Sequence, residues 1–311
     1  MDSRDEQGKI WMDGEFIDWK DATIHVMSHV VHYGTSVFEG MRCYKTPKGP
    51  SIFRLRDHIQ RMFDSAKIYR MPIPYTLDEV VEACKETIRI NKFESAYVRP
   101  IVFRGYDSLG VDPSKCPVHV VIGALNWGKY LGEEGVTKGV DVRVSSWNRM
   151  APNTMPTLAK AGANYMSSQL IKMEAMADGY TEGIGLDIFG YIGEGSGENL
   201  FAVRNGVLYT PPIESCILPG LTRDSVFKIA SEFDIPIVEQ KLQREFLYVA
   251  DELFFTGTAA EVTPIRSVDR IEIGAGSRGP ITEKIQTRYF DYVTGERDDV
   301  YGWHDVILKD V

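Results

Sequence analysis

Apolar positions follow a helical period in some stretches of the chain and a strand period in others, which predicts an α+β protein. Between Arg56 and Tyr69, apolar residues stand at 59, 62, 63 and 66, a helical stripe that leaves Arg61 to one side. The capping box Thr76-Leu-Asp-Glu79 predicts the start of a second helix, which ends near Asn91. Strands are predicted at 36–44, 52–54, 96–103, 117–125, 140–147 and 252–256.

One stretch in the middle of the chain shows neither period. Residues 127–138 contain three glycines and two lysines, and they predict an interdomain linker between domains at 1–126 and 139–311. In the second half we predict a helix over about 164–177, hairpins within 182–209 and a helix opened by 218–224. Two domains suit a chain of 311 residues, because each can bury its own core.

Composition and charge narrow the classes of function. Hydrophobic residues make up 43% and charged residues 25%, and the net charge of −9 comes with no lysine or arginine run. Nucleic acid and anionic membranes are therefore poor partners. The four cysteines have no metal or disulfide spacing, which indicates a reducing compartment. The N-terminus has no apolar segment and no apolar run approaches the roughly 18 residues of a membrane span, so we expect a soluble cytoplasmic protein.

The candidate chemistry centres on one lysine in a stretch of small residues. Lys160 lies among Leu158, Ala159, Ala161, Gly162 and Ala163, with Tyr165 five residues further on. Small neighbours leave room for a planar group beside the amine, and apolar neighbours disfavour the ammonium form, as a Schiff-base lysine requires. Most lysines are solvated surface charges, so the surroundings decide whether this one is catalytic.

Two turns and one strand carry the features of anion-binding sites. Gly220-Leu221-Thr222 opens a helix, where first-turn amides can donate to an anion, although Thr222 can equally be an N-terminal cap. Gly257-Thr258-Ala259-Ala260 places small residues and backbone amides after a strand. Tyr97 and Arg99 share one face of their strand and either bind a carboxylate together or are solvated.

A glycine-rich turn, Gly193-Glu194-Gly195-Ser196-Gly197-Glu198-Asn199, carries two carboxylates. Glycines at alternate positions are favoured where a flat group or another backbone approaches closely. Glu194 is either solvated or is the carboxylate that keeps a pyridine nitrogen protonated.

Three histidines, His25, His29 and His32, stand at a spacing that would put them on one face of a helix. A metal site, and with it a metal-dependent hydrolase, is one interpretation. No acidic residue lies between them and Tyr33-Gly34 ends the stretch, so packed or hydrogen-bonded histidines are preferred.

Taken in order, these segments resemble the branched-chain aminotransferases, which are pyridoxal-phosphate-dependent transaminases of fold type IV. The resemblance covers nearly the whole chain and rests on His32-Tyr-Gly-Thr-Ser-Val-Phe-Glu-Gly40, Tyr97-Val-Arg99, the lysine stretch, Glu194-Gly-Ser-Gly-Glu-Asn-Leu-Phe201, Leu218-Pro-Gly-Leu-Thr-Arg223 and Gly257-Thr-Ala-Ala-Glu261. It implies an α+β fold with an N-terminal α/β open sandwich and a C-terminal pseudo-barrel of strands with helices, the second domain carrying the lysine.

The resemblance implies pyridoxal 5'-phosphate as cofactor and Lys160 as the catalytic residue, which forms a Schiff base and then moves a proton. Tyr165 would hydrogen-bond the phenolic oxygen of the cofactor, and Glu194 would pair with its ring nitrogen. The other cofactor-binding residues would be Arg61, Leu221, Thr222 and Thr258 at the phosphate, with Leu218 and Gly197 at the ring face.

It also implies a pocket for leucine, isoleucine or valine, with 2-oxoglutarate as the amino acceptor. Tyr97, Thr258 and Ala259 would hold the α-carboxylate, and Arg99 would take the distal carboxylate of glutamate. The apolar walls would be Tyr33, Phe38, Gly40, Trp127 and Tyr130. The 105–113 loop of a neighbouring subunit, which includes Val111, would close part of the pocket, so at least a homodimer is expected. The segment 104–110 departs from the family pattern, since Arg104 and Tyr106 would add a cation and a phenol to that loop.

Other enzymes of the same fold remain alternatives. D-amino acid transaminases, (R)-amine transaminases and aminodeoxychorismate lyase use the same lysine but hold the substrate carboxylate differently. Tyr97-Val98-Arg99 together with Gly257-Thr-Ala-Ala favours L-branched-chain substrates, and a secondary activity on (R)-amines stays open. A non-catalytic binding module is the remaining alternative.

Overall fold

The computed structural model describes residues 8–128 and 130–307, apart from the side chain of Glu133. The expectation for the N-terminal segment therefore lies outside the described residues, as do residue 129 of the predicted linker and the last four residues of the second predicted domain. Among the described helices, none combines the length and the apolarity needed to cross a membrane.

Helices and strands are mixed along the whole chain, as the two periods predict. The strands are β1 (Lys9–Met12), β2 (Glu15–Asp18), β3 (Ser36–Phe38), β4 (Met41–Thr46), β5 (Gly49–Phe53), β6 (Ala96–Arg104), β7 (Val118–Leu125), β8 (Val140–Val144), β9 (Glu182–Leu186), β10 (Ile192–Gly195), β11 (Asn199–Arg204), β12 (Val207–Thr210), β13 (Ile237–Glu239), β14 (Glu252–Gly257), β15 (Glu261–Val268), β16 (Ile271–Glu272) and β17 (His304–Val306). The helices are α1 (His29–Tyr33), α2 (Leu55–Ile68), α3 (Leu77–Ile90), α4 (Glu133–Lys138), α5 (Tyr165–Ala177), α6 (Leu221–Glu232), α7 (Phe246–Val249) and α8 (Pro280–Val293).

Local signals in the sequence explain where several elements begin and end. The capping box is confirmed: the Thr76 hydroxyl accepts from the Glu79 amide at 3.3 Å, and the Glu79 carboxylate accepts from the Thr76 amide at 2.7 Å. The predicted strand at 36–44 is divided into β3 and β4, which are interrupted at Glu39 and Gly40. Both pieces pair with β6, so the interruption places Glu39 and Gly40 beside that strand.

The chain divides into two compact units. The first comprises the described residues of Met1–Trp127, Ala159–Ala163 and Tyr292–Val311. Its sheet has eight strands in the order β17-β5-β4-β6-β7-β1-β2, with β3 on β6, and every pairing is antiparallel. The apolar faces of α2 and α3 contribute Ile59, Met62 and Val80 to its core.

The second unit comprises Gly128–Leu158 and Asn164–Asp291. Its sheet has nine strands in the order β10-β9-β8-β15-β14-β11-β12-β13, with β16 on β15. Parallel pairings join β8 to β9, β8 to β15 and β12 to β13, while the remaining neighbours are antiparallel. The sheet buries a core that includes Val142, Leu200 and Phe255.

These units differ from the domain limits expected at 1–126 and 139–311. The segment Ala159–Ala163 belongs to the first unit, because Ala161 forms a β-bridge with Val37 and the Lys160 amide bonds the Ser65 hydroxyl. The lysine therefore does not lie in the second compact unit. The end of the chain joins the first unit because β17 pairs with β5. Within the predicted linker at 127–138, residues 133–138 form α4, bounded by Gly132 and Gly139 at positive φ.

Candidate active site

The segment around Lys160 is held by its backbone. The Lys160 amide donates to the Ser65 hydroxyl at 3.0 Å, and the Lys160 carbonyl accepts from the Phe38 amide at 3.0 Å. The Lys160 side chain is half-buried, with Nζ 4.9 Å from the centroid of the Phe38 ring. The small neighbours serve packing: Ala161 is buried in the core of the first unit, and a Cβ on Gly162 would lie 2.5 Å from the Ser36 hydroxyl. The segment has small side chains because it packs directly against β3.

Arg61 belongs to a buried polar cluster that includes an acid to which the sequence analysis gave no role. Its guanidinium donates to both oxygens of Glu39, at 2.6 and 2.9 Å, and His58 Nδ1 lies 2.7 Å from the same carboxylate. Burial would raise the pKa of Glu39, but the charges of Arg61 and His58 hold that pKa far below its usual range. Burial lowers the pKa of His58, although Glu39 opposes this, and the charges of Arg61 and Lys160 lower it further. Arg61 is thus oriented through a bidentate pair.

Tyr97 and Arg99 lie on one face of β6, as predicted. Arg99 Nη2 donates to the Tyr97 hydroxyl at 3.3 Å, and the guanidinium carbon lies 4.8 Å from the Phe38 ring centroid. Arg99 Nε is buried and has no hydrogen-bond partner among the described residues. Gly40 is required here because a Cβ would lie 1.8 Å from the Tyr97 hydroxyl. Trp127 packs edge-on against the Tyr97 ring at 4.4 Å.

Tyr33 is hydrogen-bonded to the 105–113 loop, which contains Val111. The Tyr33 hydroxyl donates to the Leu109 carbonyl at 2.9 Å, and Val111 is 80% exposed. The expectation of an extra cation in this loop is wrong: Arg104 ends β6 and is buried, donating to the carbonyls of Cys116 and Arg70. Its guanidinium points into the first unit because two backbone acceptors lie there.

The three histidines have hydrogen-bond partners of their own. His29 is buried between the Thr35 hydroxyl at 3.0 Å and the Gly110 carbonyl at 2.9 Å. His32 Nε2 lies 3.1 Å from the Val26 carbonyl, and His25 Nδ1 accepts from the Met27 amide. Within residues 8–128 and 130–307, no three His, Cys, Asp or Glu side chains are grouped so that they could hold a metal ion.

Glu194 is a buried carboxylate of the second unit with three donors around it. It is 6% exposed and lies in β10, where Arg149 Nη2 reaches Oε1 at 2.5 Å. Oε2 accepts from Asn199 Nδ2 and from the Leu218 amide, both at 3.0 Å. Asn199 Nδ2 also donates to the Leu218 carbonyl at 2.9 Å, so one side chain joins the carboxylate to the turn before α6. Three donors on a buried carboxyl group favour the ionised form.

The turn before α6 and the hairpin after β14 have the predicted local form. Gly220 precedes α6 with no side-chain cap, so the Thr222 hydroxyl is not an N-terminal cap, and Leu221 is the first helical residue. Thr258 and Ala259 lie in the short loop that joins β14 to β15, where Gly257 pairs with Glu261. A Cβ on Gly197 would meet nothing within 4 Å, so one side of this glycine is open. Tyr165 is the first residue of α5 and is half-buried.

Tyr130 belongs to a cluster of buried acids around one lysine. Lys172 Nζ lies 5.3 Å from the Tyr130 ring centroid and donates to Glu182 at 2.8 Å. Burial, together with the charges of Glu198 and Glu182, raises the pKa of Tyr130. Burial and the charge of Glu182 raise the pKa of Glu198 to about 8, against the lowering effects of the Gly197 amide and Lys172. The folded protein therefore favours the uncharged form of Glu198 more than the unfolded chain does.

The raised pKa of Glu198 gives a stability prediction with a defined sign. An acid with a higher pKa in the folded state stabilises the fold below its unfolded pKa of 4.5, and this contribution is lost as the pH rises through about 8. We expect Glu198→Gln to reduce the fall in the thermal unfolding midpoint between pH 5 and pH 8.5. Parallel scans of cofactor-free wild type and variant measure this, with Glu94→Gln, whose side chain is 63% exposed, as the control. Identical slopes for wild type and Glu198→Gln would contradict it.

The structure brings several predicted residues together within each unit. In the first unit, Lys160, Phe38, Arg99, Tyr97 and Gly40 form one contiguous set. In the second, Glu194 and Leu218 are directly bonded. Sequence reasoning missed Glu39, His58, Arg149 and Asn199, which hold other side chains in place. Glu39 had a usable signal, because an acid within an apolar strand segment must be paired if that segment is buried.

These features belong to a known class of enzyme. Residues 36–268 match the family model of the class IV aminotransferases, and the chain belongs to this family. It is 56% identical to the branched-chain-amino-acid aminotransferase of Escherichia coli (strain K12), over 96% of this chain and 97% of the relative. Aminotransferases of this class depend on pyridoxal 5'-phosphate and act on amino acids and 2-oxo acids.

Solved structures agree with this assignment. The crystal structure of the Escherichia coli branched-chain amino acid aminotransferase superposes with a TM-score of 0.96 at 55% identity, covering 97% of this chain and 100% of that one. The branched-chain aminotransferase of the archaeon Thermoproteus uzoniensis, crystallised with norvaline, has a TM-score of 0.92 at 42% identity and covers 97% of this chain and 99% of that one. The predicted α+β fold of type IV is confirmed.

The residues of this chain fit the cofactor. Glu194 is a buried carboxyl group with three donors, and such surroundings favour the ionised form that pairs with a protonated ring nitrogen. Gly197 leaves open space on one side, which allows a flat group to approach the backbone closely. In the second unit, the helix start at Gly220 has the form of an anion-binding turn. In the first unit, an arginine oriented by Glu39 is a group that can bind a phosphate.

Proposed function

We propose that the protein transfers amino groups between L-leucine, L-isoleucine or L-valine and 2-oxoglutarate, giving branched-chain 2-oxo acids and L-glutamate. The named activity of its relatives supports this substrate class. The observation that carries the proposal is the ring of Phe38, which has Lys160 Nζ at 4.9 Å and the Arg99 guanidinium at 4.8 Å. One apolar surface therefore adjoins both an amine and a cation, which suits a pocket that accepts an isobutyl group and a carboxylate in turn.

The first unit supplies the proposed amine and most of the substrate contacts. Lys160 acts as the catalytic residue, and Arg61 binds the phosphate through a guanidinium already fixed by Glu39. Tyr97 holds the α-carboxylate, and Arg99 receives the distal carboxylate of glutamate. The apolar walls are formed by Phe38, Gly40 and Trp127, and Val111 is contributed by a second copy of the chain. Tyr33, expected among the walls of its own subunit, donates to Leu109 of the 105–113 loop, so we place it with Val111 on the second copy.

The second unit supplies the remaining proposed contacts. Tyr165 donates to the phenolic oxygen of the cofactor, and Glu194 pairs with its ring nitrogen. Leu221, Thr222 and Thr258 bind the phosphate, and Leu218 and Gly197 flank the ring. Thr258 and Ala259 also offer amides to the α-carboxylate, and Tyr130 adds an apolar wall.

The chemistry divides between the cofactor and the chain. Pyridoxal 5'-phosphate supplies a ring that accepts an electron pair when the bond between Cα and its hydrogen breaks. With the cofactor bound, the Lys160 amine would hold the proton removed from Cα as general base and give up a proton as general acid. The Phe38 ring, whose centroid lies 4.9 Å from Nζ, covers one side of the amine. The Glu194 carboxylate holds a positive charge on the ring nitrogen.

A panel of amino donors tests the proposed function. Purified holoenzyme is assayed with 2-oxoglutarate and equal concentrations of L-leucine, L-isoleucine, L-valine, D-alanine and an (R)-amine. We expect kcat/KM for the three L-branched-chain amino acids to exceed the other two. Faster turnover of D-alanine or of the (R)-amine would assign the enzyme to another activity of the same fold.

Arg99 gives a prediction that separates the two half-reactions. We expect Arg99→Leu to raise KM for 2-oxoglutarate and L-glutamate by roughly 10- to 100-fold, because a charge-assisted pair with the distal carboxylate is lost. KM for L-leucine should change by less than about threefold, since no second carboxylate is present in that substrate. Single-turnover absorbance measurements of each half-reaction check this, with Arg56→Leu, whose side chain is 62% exposed, as the control. Equal losses for both substrates would contradict the assignment.

We also propose a homodimer or larger homo-oligomer in the cytoplasm. Exposed apolar side chains in the first unit support it: Val26, Val31, Tyr33, Tyr106, Leu109 and Val111 are 42–80% exposed. Surfaces of this kind are usually covered in an assembly. Sedimentation of the holoenzyme at micromolar concentration should give at least twice the mass of one chain, and a monomer that retains full activity would exclude a shared site.

A further inference from the structure

The Arg149 side chain is buried next to Glu194 and packs against two glycines. Its amide donates to the Leu186 carbonyl at 2.7 Å, and its side chain is 6% exposed. A Cβ on Gly185 would lie 3.1 Å from Arg149 Cδ, and one on Gly193 would lie 3.2 Å from Arg149 Cγ. Strands β9 and β10 therefore have glycines at the two positions that contact the aliphatic part of the Arg149 side chain.

The positive charge of Arg149 is directed at one carboxylate. Nη2 lies 2.5 Å from Glu194 Oε1, and Nη1 donates to the neutral Ser168 hydroxyl at 3.2 Å. Nε is buried with no hydrogen-bond partner in residues 8–128 and 130–307. A desolvated guanidinium is costly unless it is paired, so the Glu194 carboxylate is its principal compensation.

Two other acids near this pair have partners of their own. Asp187 Oδ1 accepts from the Phe189 and Tyr191 amides, while its Oδ2 is buried without a hydrogen-bond partner in the described residues, and Glu182 pairs with Lys172. Glu198 accepts from the Gly197 amide. The charges of Arg149 and of Lys241 also reach the Cys216 thiol, as do those of Asp187 and Glu194, although burial is the main cause of its raised pKa. Arg149 is thus a cation in direct contact with Glu194.

We propose that Arg149 determines where the proton shared by Glu194 and the ring nitrogen of the cofactor resides, and that it is a positioning residue for the electron-accepting ring. The inference rests on the proposed pairing of Glu194 with that nitrogen. A carboxylate and a pyridine nitrogen that share one proton in a dry site can exist as an ion pair or as a neutral pair. Burial alone favours the neutral pair. A guanidinium 2.5 Å from the carboxylate stabilises only its ionised form, so Arg149 keeps the proton on the ring nitrogen.

The test reads the proton directly rather than through activity. Holoenzyme is reconstituted with cofactor labelled with ¹⁵N in the ring, and the ¹⁵N chemical shift is measured from pH 6 to pH 9. We expect a protonated-type shift at every pH in the wild type and a displacement toward the neutral type in Arg149→Met, independent of pH. Arg149→Lys, which retains the charge, should stay on the protonated side. kcat with L-leucine should fall in Arg149→Met by on the order of 10- to 100-fold, less than in Glu194→Gln.

The outcomes separate this inference from the proposed function. If Arg149→Met has the wild-type shift while Glu194→Gln is displaced, Arg149 has no role in locating the proton. A nitrogen that titrates in Arg149→Met as it does in the unbound cofactor would indicate a displaced carboxylate and a merely structural arginine. If Glu194→Gln keeps the wild-type shift, the proposed pairing itself is wrong. Should Arg149→Met yield no holoenzyme, a neutral-type shift in the wild type would still overturn the inference.

Discussion

Lys160→Ala is expected to lower turnover with L-leucine and 2-oxoglutarate by about 10³-fold or more, because the amine that binds the cofactor and moves the proton is removed. The fold should survive this change. The lysine is anchored through its backbone, by bonds to the Ser65 hydroxyl and from the Phe38 amide, and these do not involve Nζ. The variant should still bind pyridoxal 5'-phosphate through the phosphate contacts but lose the covalent attachment.

Three measurements check this prediction: steady-state turnover, the visible absorbance of the protein, and the cofactor released on denaturation. The matched control is Lys45→Ala, which removes an amine whose side chain is 68% exposed and paired with Glu94. Turnover within tenfold of wild type in Lys160→Ala would remove this residue from the catalytic role. Loss of the fold, seen by circular dichroism, would instead mean that Nζ has a structural role.

Glu194→Gln is expected to reduce kcat for L-leucine by about 10²- to 10⁴-fold with little change in KM. The amide is nearly isosteric but uncharged, so it cannot hold a positive charge on the ring nitrogen. The substitution also leaves Arg149 without its ionic partner and places an amide that can donate opposite Asn199 Nδ2 and the Leu218 amide. A lower unfolding midpoint should therefore accompany the catalytic loss.

The effect of Glu194→Gln is measured as kcat and KM for each substrate on protein saturated with cofactor. Glu94→Gln serves as the control, because it removes a charge from an exposed side chain of the same type. A variant with wild-type kcat would show that this carboxylate does not act on the ring. A raised KM at unchanged kcat would move Glu194 to substrate binding.

Much of the fold could be predicted because its signals are local. The helix at 77–90 begins where Thr76 and Glu79 bond each other's backbone amides, and this depends on four consecutive residues. The tight turn at Asn205-Gly206 needs two residues at positive φ, which asparagine and glycine adopt readily. The linker at 127–138 was the weaker prediction, since glycines that bound a short helix look the same in sequence as glycines in an open segment.

The site residues likewise fall into those with local sequence signals and those whose partners are distant in the chain. Lys160, Glu194 and the glycine-containing turns stand in short motifs whose chemistry can be recognised residue by residue. Arg149 has no such signal, because its partner Glu194 lies 45 positions further along the chain. Only the packing of its side chain against Gly185 and Gly193 in the folded protein directs its guanidinium to that carboxylate. Glu39 was visible in a motif, but its function as the acceptor for Arg61 and His58 depends on α2 packing beside the break between β3 and β4.

The sequence by itself determined the α+β class, most helix and strand positions and the residue types that a transaminase needs, because these depend on periodicity and on short motifs. Only the tertiary structure decided that the Lys160 segment belongs with β3 rather than with the residues that follow it in the chain. It also decided the surroundings of each acid: Glu194 has Arg149 and two further donors, whereas Glu198 is buried and has the charge of Glu182 acting on it, which raises its pKa. The physical reason is that burial and the nearest charge set the state of a carboxyl group, and both are fixed by residues distant in the chain.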